Sequence, residues 1–536
     1  MNRNCSALAL LLVLALAACS TDAIAPIKAP LTANLSVAVS SAAGSYIVLT
    51  NGKSAKDFTA QVEKLGGSVT FYHAPTGFAT VSGLTPGAAS QLRSVTGVSQ
   101  VDADILVGLD GPAGLVQADV SGLLPADAAA PAIDAAAPGI DAGAPAIDAA
   151  APGTGVPEAA ILGSWQWDMR LIGADVAWAQ SKLGSSSVTV AIIDTGLDYD
   201  NRDLNTLVDL SRSASFANTW VGDTTTANNP RPDTLTISDS AITATRFPTR
   251  NPIQDYNGHG TNVGATVSSR AFAFAGVTAR TRLIGVKVLG RNGQGNFGQI
   301  LSGVLFAADS AADVANMSLG GAFAKAGNGS LVAVINKVFN YAKQQGMLIV
   351  TSAGNEATDL QHNGNAFASF CDAPHVVCVS SVGPTTWLGD ADAPAFYTNF
   401  GRSVVTVAAP GGNGEVGTGG QLKLSDGWPW GLPPRGTSNA SGVWSFCTRT
   451  KMNIVGKTGV FGNLVRDAAC ATGGQPFGAI GTSQAAPHVA GLAALLIAEN
   501  GKHQPQQIKR LIQKSADPID AAYGRGRISV KNALGL

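Results

Sequence analysis

The chain is poor in charge. Only 13% of its 536 residues are Asp, Glu, Lys or Arg, and they sum to −1, where about a quarter is usual in a globular protein. No basic stripe is present to neutralise phosphates, so a nucleic-acid partner is not expected. Long apolar runs are missing after the first eighteen residues, so no later segment reads as a transmembrane helix. Cysteine is scarce, with six residues, and none stands at a spacing with histidine that suits zinc. What remains is a weakly charged chain with 63 glycines and 45% hydrophobic residues, a composition suited to a secreted protein with long loops. The length exceeds what one core ordinarily holds, so two or more folded units are expected.

The first twenty residues, MNRNCSALALLLVLALAACS, place Arg3 before an apolar core from Leu8 to Ala18. That core is too short to span a bilayer but suits an export signal. It ends in Leu16-Ala17-Ala18-Cys19, which resembles the lipobox of bacterial lipoproteins. The resemblance implies a signal peptide over 1–18, a lipid on Cys19 that reaches the membrane, and a tether over 19–45. Ser20, rather than Asp, implies outer-membrane sorting if the source is Gram-negative. The expected location is the outer membrane or cell surface, or the extracellular space after maturation. Beyond Cys5 and Cys19, four cysteines remain: Cys371, Cys378, Cys447 and Cys470. An even number after an export signal implies disulfides with three possible connectivities, the alternative being buried thiols. Proximity favours 371–378 and 447–470, and the second would close a glycine-rich loop worth about 3 kcal/mol.

Residues 46–107 read as strand, helix, two strands, helix, strand, the ferredoxin-like order of a small α+β domain. Residues 108–160 differ: AAAPAID, AAAPGID, AGAPAID and AAAPGTG run consecutively over 128–155. Proline in every copy and few large apolar side chains exclude a coiled coil, so the segment is expected to be a disordered Ala/Pro linker. From 161 to 536, continuous apolar runs such as VTVAII and MLIVTSA alternate with helical patterns. This predicts an α/β unit with a mostly parallel sheet covered by helices on both faces. Active sites in such sheets lie at the carboxyl ends of strands.

Four residues stand at predicted element boundaries, two of them at strand ends. Asp194 closes AIIDTGLD, His259 sits between glycines in NGHGTNVGATV, Asn355 follows a glycine in SAGNE, and Ser483 opens a helix in GTSQAAPHVAG. Singly, each reads as a turn former or cap. Together they supply a nucleophile, a base, an acid to hold the base and an oxyanion donor. His488 is nearer Ser483 in sequence, but five residues along a helix is about 140° around it, so it is expected to be a packed helix residue. His362 and His375 have no evident acid to orient them, His73 lies in the small domain, and His503 lies far along the closing helices.

These stretches, with NMSLGG, resemble in order the five motifs of the subtilisin-like serine proteases, or subtilases, over 161–536. The resemblance implies a secreted or surface-anchored serine endopeptidase acting on protein or peptide substrates, with Ser483 attacking, His259 as base, Asp194 orienting it and Asn355 stabilising the oxyanion. It needs no cofactor for chemistry. The 46–107 unit resembles the inhibitory propeptide of that family, a partner within the chain. Its removal would release the protease from a lipid at Cys19. Ser318, Leu319 and Gly320 correspond to the strand that pairs with substrate, and Gly293 and Gly295 to the opposite wall. Glu356 is placed to edge the specificity pocket and favour Lys or Arg. Asp203 matches an acid that binds structural calcium in relatives, although SRAFAFAG (269–276) lacks the usual Asn. Asn262 replaces a second histidine. Insertions are expected near 205–252 and 413–477, and the latter reads equally as a substrate-binding element or a structural hairpin. A histidine base of ordinary pKa predicts activity falling below about pH 6–7. The competing readings are a surface-binding lipoprotein on an inactive protease fold and a processing protease dedicated to one partner.

Overall fold

The computed structural model describes residues 41–51, 55–109, 115–117, 133–134, 153–217, 239, 243–244, 249–291, 293–384, 390–413, 415–416, 422–423, 442–446, 450–451, 476–501 and 504–536. The signal sequence, Cys19, Cys447 and Cys470 lie outside these residues.

The small unit follows its expected order: β1 (Ser41–Thr50), α1 (Ala55–Lys64), β2 (Ser68–His73), β3 (Phe78–Ser82), α2 (Pro86–Arg93) and β4 (Val98–Gly108). Its strands are antiparallel in the order β4-β1-β3-β2. Alternation along β1 divides the side chains between two faces. Tyr46 and Val48 join Phe58, Val62 and Leu92 in the unit's own core. Ile47 and Leu49 join the core of the larger unit instead.

The expected linker is narrower than its composition implied. Backbone strands β5 (Leu115–Gln117) and β6 (Ile133–Asp134) lie within it. Its last residues belong to the globular unit, because Gly155 N–H donates to Arg270 O at 2.7 Å and Pro157 is buried. Repeat composition could not reveal this, since the pairing partners are more than a hundred residues downstream.

The larger unit opens with two short helices, α3 (Trp167–Leu171) and α4 (Ala174–Ala179). Its seven-stranded sheet has the order β16-β15-β13-β11-β7-β9-β8, and every pairing is parallel. In chain order the strands and helices are β7 (Thr189–Asp194), β8 (Ala214–Ser215), α5 (His259–Val267), β9 (Arg282–Lys287), β10 (Gln294–Asn296), α6 (Phe297–Asp309), β11 (Val314–Met317), β12 (Phe323–Ala324), α7 (Gly329–Gln344), β13 (Leu348–Ser352), β14 (Ala366–Phe367), β15 (Val377–Val382) and β16 (Val407–Pro410). Short strands follow in the second insertion: β17 (Glu415–Val416), β18 (Leu422–Lys423), β19 (Val443–Phe446), β20 (Thr450–Lys451) and β21 (Pro476–Ala479). Helices α8 (Thr482–Asn500), α9 (Pro505–Ser515) and α10 (Val530–Leu534) close the chain.

Strand β7 is buried at all six positions, as a strand sandwiched between helix layers must be. Val190 and Ile192 face Val263 of α5 and Val489, Ala493 and Leu496 of α8. Ala191 and Ile193 face Ile300 and Val304 of α6 and Val338 of α7. The small unit covers this second layer. Its Asp104 accepts the Gly298 N–H at 2.9 Å and its Asp102 accepts the Ser330 hydroxyl at 2.8 Å, each at the first turn of α6 or α7. Carboxylates suit helix amino termini, while complete burial pushes the Asp104 carboxyl up to about 7. Cys371 and Cys378 form a disulfide with Cα atoms 5.1 Å apart, next to the end of β13. No described helix is long and apolar enough to cross a membrane.

Candidate active site

Asp194 ends β7 at the sheet's carboxyl edge and is wholly buried. Its Oδ1 accepts the Thr195 N–H at 2.7 Å, and its two oxygens face His259 Nδ1 at 2.8 and 3.1 Å. His259 opens α5, with its ring 14% exposed. Nδ1 is thus turned to the acid and Nε2 away from it. The next residue, Gly260, donates its N–H to Thr195 Oγ1 at 2.9 Å. A Cβ there would lie 2.2 Å from Gly196 O, so only glycine lets the two loops meet this closely.

Behind the pair lies a buried network that sequence reasoning missed. The Asp255 carboxylate accepts Asn257 N–H at 2.8 Å, Gly258 N–H at 2.9 Å, Thr261 N–H at 3.0 Å and the Thr195 hydroxyl at 3.1 Å. Burial raises its pKa, and the charge of Lys287 opposes that rise most strongly. Lys287 is itself fully buried and donates to Thr195 O at 2.7 Å and Gln254 O at 3.0 Å. Asp239, from the first insertion, pairs with Lys287 at 2.9 Å and Arg291 at 3.1 Å. The signals were a lysine inside the apolar run LIGVKV and an acid four residues before His259.

Ser483 is the second residue of α8. Its hydroxyl donates to Ser318 O at 3.2 Å, and the Ser318 hydroxyl donates to Ser483 O at 2.7 Å. Pro487 explains the second bond. Four residues after Ser483, it has no N–H to give the Ser483 carbonyl, which is therefore open to Ser318. Asn355 is held beside Ser483 through Thr482, whose N–H and hydroxyl both donate to Asn355 Oδ1 at 2.9 Å. This fixes the carbonyl end of the amide on Thr482 and its NH2 at the opposite end. Gln484 reaches Asn262 of α5 at 3.4 Å, joining the serine helix to the histidine helix.

A cleft already filled by the chain runs up to these residues. Leu106, Val107 and Gly108 of β4 pair antiparallel with Asn296, Gly295 and Gln294 of β10. Leu109 N–H continues that side by donating to Gly293 O at 2.9 Å, and on the other side Gly320 N–H donates to Gly108 O at 3.2 Å. Gly293 and Gly321 are small because Leu109 and Val107 lie against them: added Cβ atoms would stand 2.9 and 2.6 Å from those side chains. Leu319, between Ser318 and Gly320, is fully buried.

Other candidates are placed differently. Asp203, the calcium candidate, has both carboxylate oxygens engaged by backbone donors. Its two oxygens accept the N–H groups of Phe272, Ala273 and Phe274 at 2.6, 3.0 and 3.2 Å, and three inward-facing N–H dipoles would repel a cation. Burial pushes its carboxyl up to about 6. Among the described residues no cluster of three His, Cys, Asp or Glu side chains could hold a metal. Glu356 has an exposed outer side. Its Oε2 accepts Asn399 Nδ2 at 2.7 Å, and desolvation of this tucked head raises its pKa. His488 is fully buried. Its Nδ1 donates to Gln484 O at 2.8 Å and its Nε2 meets Asp168 Oδ2 at 2.9 Å. His362, expected to lack an acid, has one at 2.6 Å in Asp359, but that pair stands on the exposed surface.

A parallel α/β sheet with a histidine–carboxylate pair, a serine at a helix start and a strand-lined cleft defines a serine-hydrolase type of site. The chain belongs to the subtilase family: the family's peptidase model matches residues 185–535. It is 27% identical over 366 residues to a thermophilic serine proteinase of Bacillus sp. (strain AK1), covering 67% of this chain and 64% of that protein. It is 28% identical over 269 residues to a cuticle-degrading protease of Metarhizium anisopliae, covering 49% and 50%. It is 26% identical over 352 residues to subtilisin of Bacillus pumilus, covering 65% and 91%. The chain thus spans about half to two thirds of the length of several curated relatives it matches. Among solved structures, fervidolysin from Fervidobacterium pennivorans, a keratinolytic enzyme related to subtilisin, shares the fold with a TM-score of 0.59 at 18% identity, covering 92% of this chain and 61% of that one.

Proposed function

We propose that the protein is an exported serine endopeptidase made as a zymogen. Ser483 Oγ turns from Ser318 O to His259, which takes its proton as the oxygen attacks a peptide carbonyl. Asp194 holds the imidazole in the tautomer with Nδ1–H and stabilises its cation. The Asn355 NH2 and the Ser483 N–H stabilise the oxyanion. His259 then returns the proton to the leaving amine, and water repeats the sequence on the acyl-enzyme. No cofactor is needed. The observation that carries this reading is the chain's own strand 106–109, held by main-chain bonds between Gly293–Gly295 and Gly320 as a substrate would be. The 46–107 unit is accordingly the inhibitory propeptide, and the mature amino terminus falls after Leu109. Glu356 edges the specificity pocket and adds tolerance for Lys or Arg. Export and a lipid at Cys19 rest on the signal sequence, and cleavage after the propeptide frees the protease from that anchor.

The test is expression of the full chain with and without Ser483→Ala. The wild-type chain is expected to shorten to a species that a fluorophosphonate probe labels on Ser483. The variant should stay full length and unlabelled. Labelling of the variant, or a full-length and unreactive wild type, would overturn the reading.

A further inference from the structure

The second insertion returns to the serine helix through β21, the central strand of a separate three-stranded sheet β19-β21-β5, and its last residue, Ala479, stands four residues before Ser483. One edge of β21 pairs antiparallel with β19, as Val443 with Ala479, Trp444 with Gly478 and Ser445 with Phe477. That hairpin is firmly seated. The Trp444 ring meets Trp165 edge-on with centroids 5.2 Å apart, and the Trp167 indole N–H donates to Gly442 O at 3.1 Å. Gly478 accommodates the indole, because a Cβ there would lie 3.0 Å from the Trp444 ring. Strands β19 and β21 are thus packed against the amino-terminal segment of the larger unit.

The other edge of β21 is taken by β5, with Leu115 opposite Ala479, Val116 opposite Gly478 and Gln117 opposite Phe477. Leu115 follows by six residues Leu109, whose N–H is bonded to Gly293 in the cleft. One polypeptide therefore makes main-chain pairs with β10 and Gly320 before the serine and with β21 just beyond, in a single amino-to-carboxyl direction. The insertion meets the same linker a second time, where Ile133 and Asp134 pair in parallel with Thr450 and Lys451 of β20. Leu115-Val116-Gln117 also precedes the proline-bearing repeats, and proline could not donate to such a ladder.

We propose that the β21 edge is a substrate-binding strand for residues on the carboxyl side of the scissile bond, and that β5 is its occupant before maturation. The ligand class is an extended, unfolded polypeptide reaching about six or more residues past the cleaved bond. Main-chain hydrogen bonds hold it, so the site selects for length and extended form rather than for particular side chains. This assigns the second insertion to substrate binding. The proposal rests on the proteolytic reading above.

Matured enzyme would be given internally quenched peptides with one fixed amino-side half and carboxyl-side halves of two, four and eight residues. Extension from four to eight residues is expected to raise kcat/KM about 10-fold, the yield of two or three additional main-chain hydrogen bonds. N-methylation of the backbone at the distal residues should return the eight-residue peptide to the four-residue value, and scrambling their side chains should not. An equal kcat/KM for four and eight residues would overturn the proposal and mark β5 as a structural strand. So would a gain that scrambling abolishes and N-methylation spares. If no peptide is cut and the fluorophosphonate probe leaves Ser483 unlabelled, the proteolytic reading is what has failed, and the strand proposal falls with it.

Discussion

Two imidazole–carboxylate pairs of similar length stand near Ser483, and they differ in what their second ring nitrogen does. His259 gives Nδ1 to Asp194 at 2.8 Å and stays partly open to solvent, with Nε2 turned away from the acid. His488 gives Nε2 to Asp168 at 2.9 Å and Nδ1 to Gln484 O at 2.8 Å, with both partners fully buried. Its ring has no nitrogen left for a substrate. A histidine beside an acid becomes a base only when its far nitrogen reaches the reacting atoms. The second pair does a different job: it ties α3, at the start of the larger unit, to α8, the helix that presents Ser483.

The largest effects should fall on the first pair. Ser483→Ala or His259→Ala, processed in trans by wild-type enzyme, is expected to lower kcat by about 10⁶ in a peptide assay. Asp194→Asn, which leaves the shape but supplies the wrong tautomer, should cost about 10⁴. Asn355→Leu should cost about 10²–10³ in kcat with little change in KM. The second pair should respond in the opposite currency, stability. His488→Phe leaves Asp168 buried without its partner and should lower the unfolding free energy by about 3–5 kcal/mol in a denaturant titration. Its kcat, measured on the folded fraction, should stay within about 3-fold of wild type. Adding Asp168→Leu should recover much of the stability. A His488 variant that keeps its stability but loses activity by orders of magnitude would erase the distinction.

The smallest effect concerns pH. Asp104 titrates near 7 when the small unit is docked and near 3.9 when exposed. A raised pKa in the docked state means docking takes up a proton. The contribution of Asp104 to docking is fully present below the exposed value and is lost as pH rises through about 7. Maturation of the full chain should therefore quicken a few-fold between pH 6 and pH 8, and Asp104→Asn should flatten that rise.

Much of this was legible in the sequence, because it is local. Continuous apolar runs marked the buried parallel strands, and the order strand, helix, two strands, helix, strand marked the small unit. The positions of Asp194, His259, Asn355 and Ser483 at element boundaries marked one edge of the sheet. What escaped depends on contacts between distant segments. Asp168 lies 320 residues from His488, and nothing near either residue announces the other. Lys287 stands in an apolar strand, and its partner Asp239 comes from the first insertion, far from it in sequence. Asp203 has the residue type of a calcium ligand, and only the direction of three backbone N–H groups shows that its oxygens are already committed. The β5–β21 pairing joins residues separated by the whole of the sheet, so no window of sequence could contain it.

The central claim is that His259, and not the nearer His488, activates Ser483. Mass spectrometry of matured protein after fluorophosphonate labelling tests it most directly, in wild type and in the His259→Ala and His488→Phe variants. The claim predicts an adduct on Ser483 in wild type and in the folded fraction of His488→Phe, and none in His259→Ala after wild-type enzyme has processed it in trans and so cleared residues 106–109 from its cleft. An undiminished Ser483 adduct in His259→Ala, or its loss only in a fully folded His488→Phe, would contradict it.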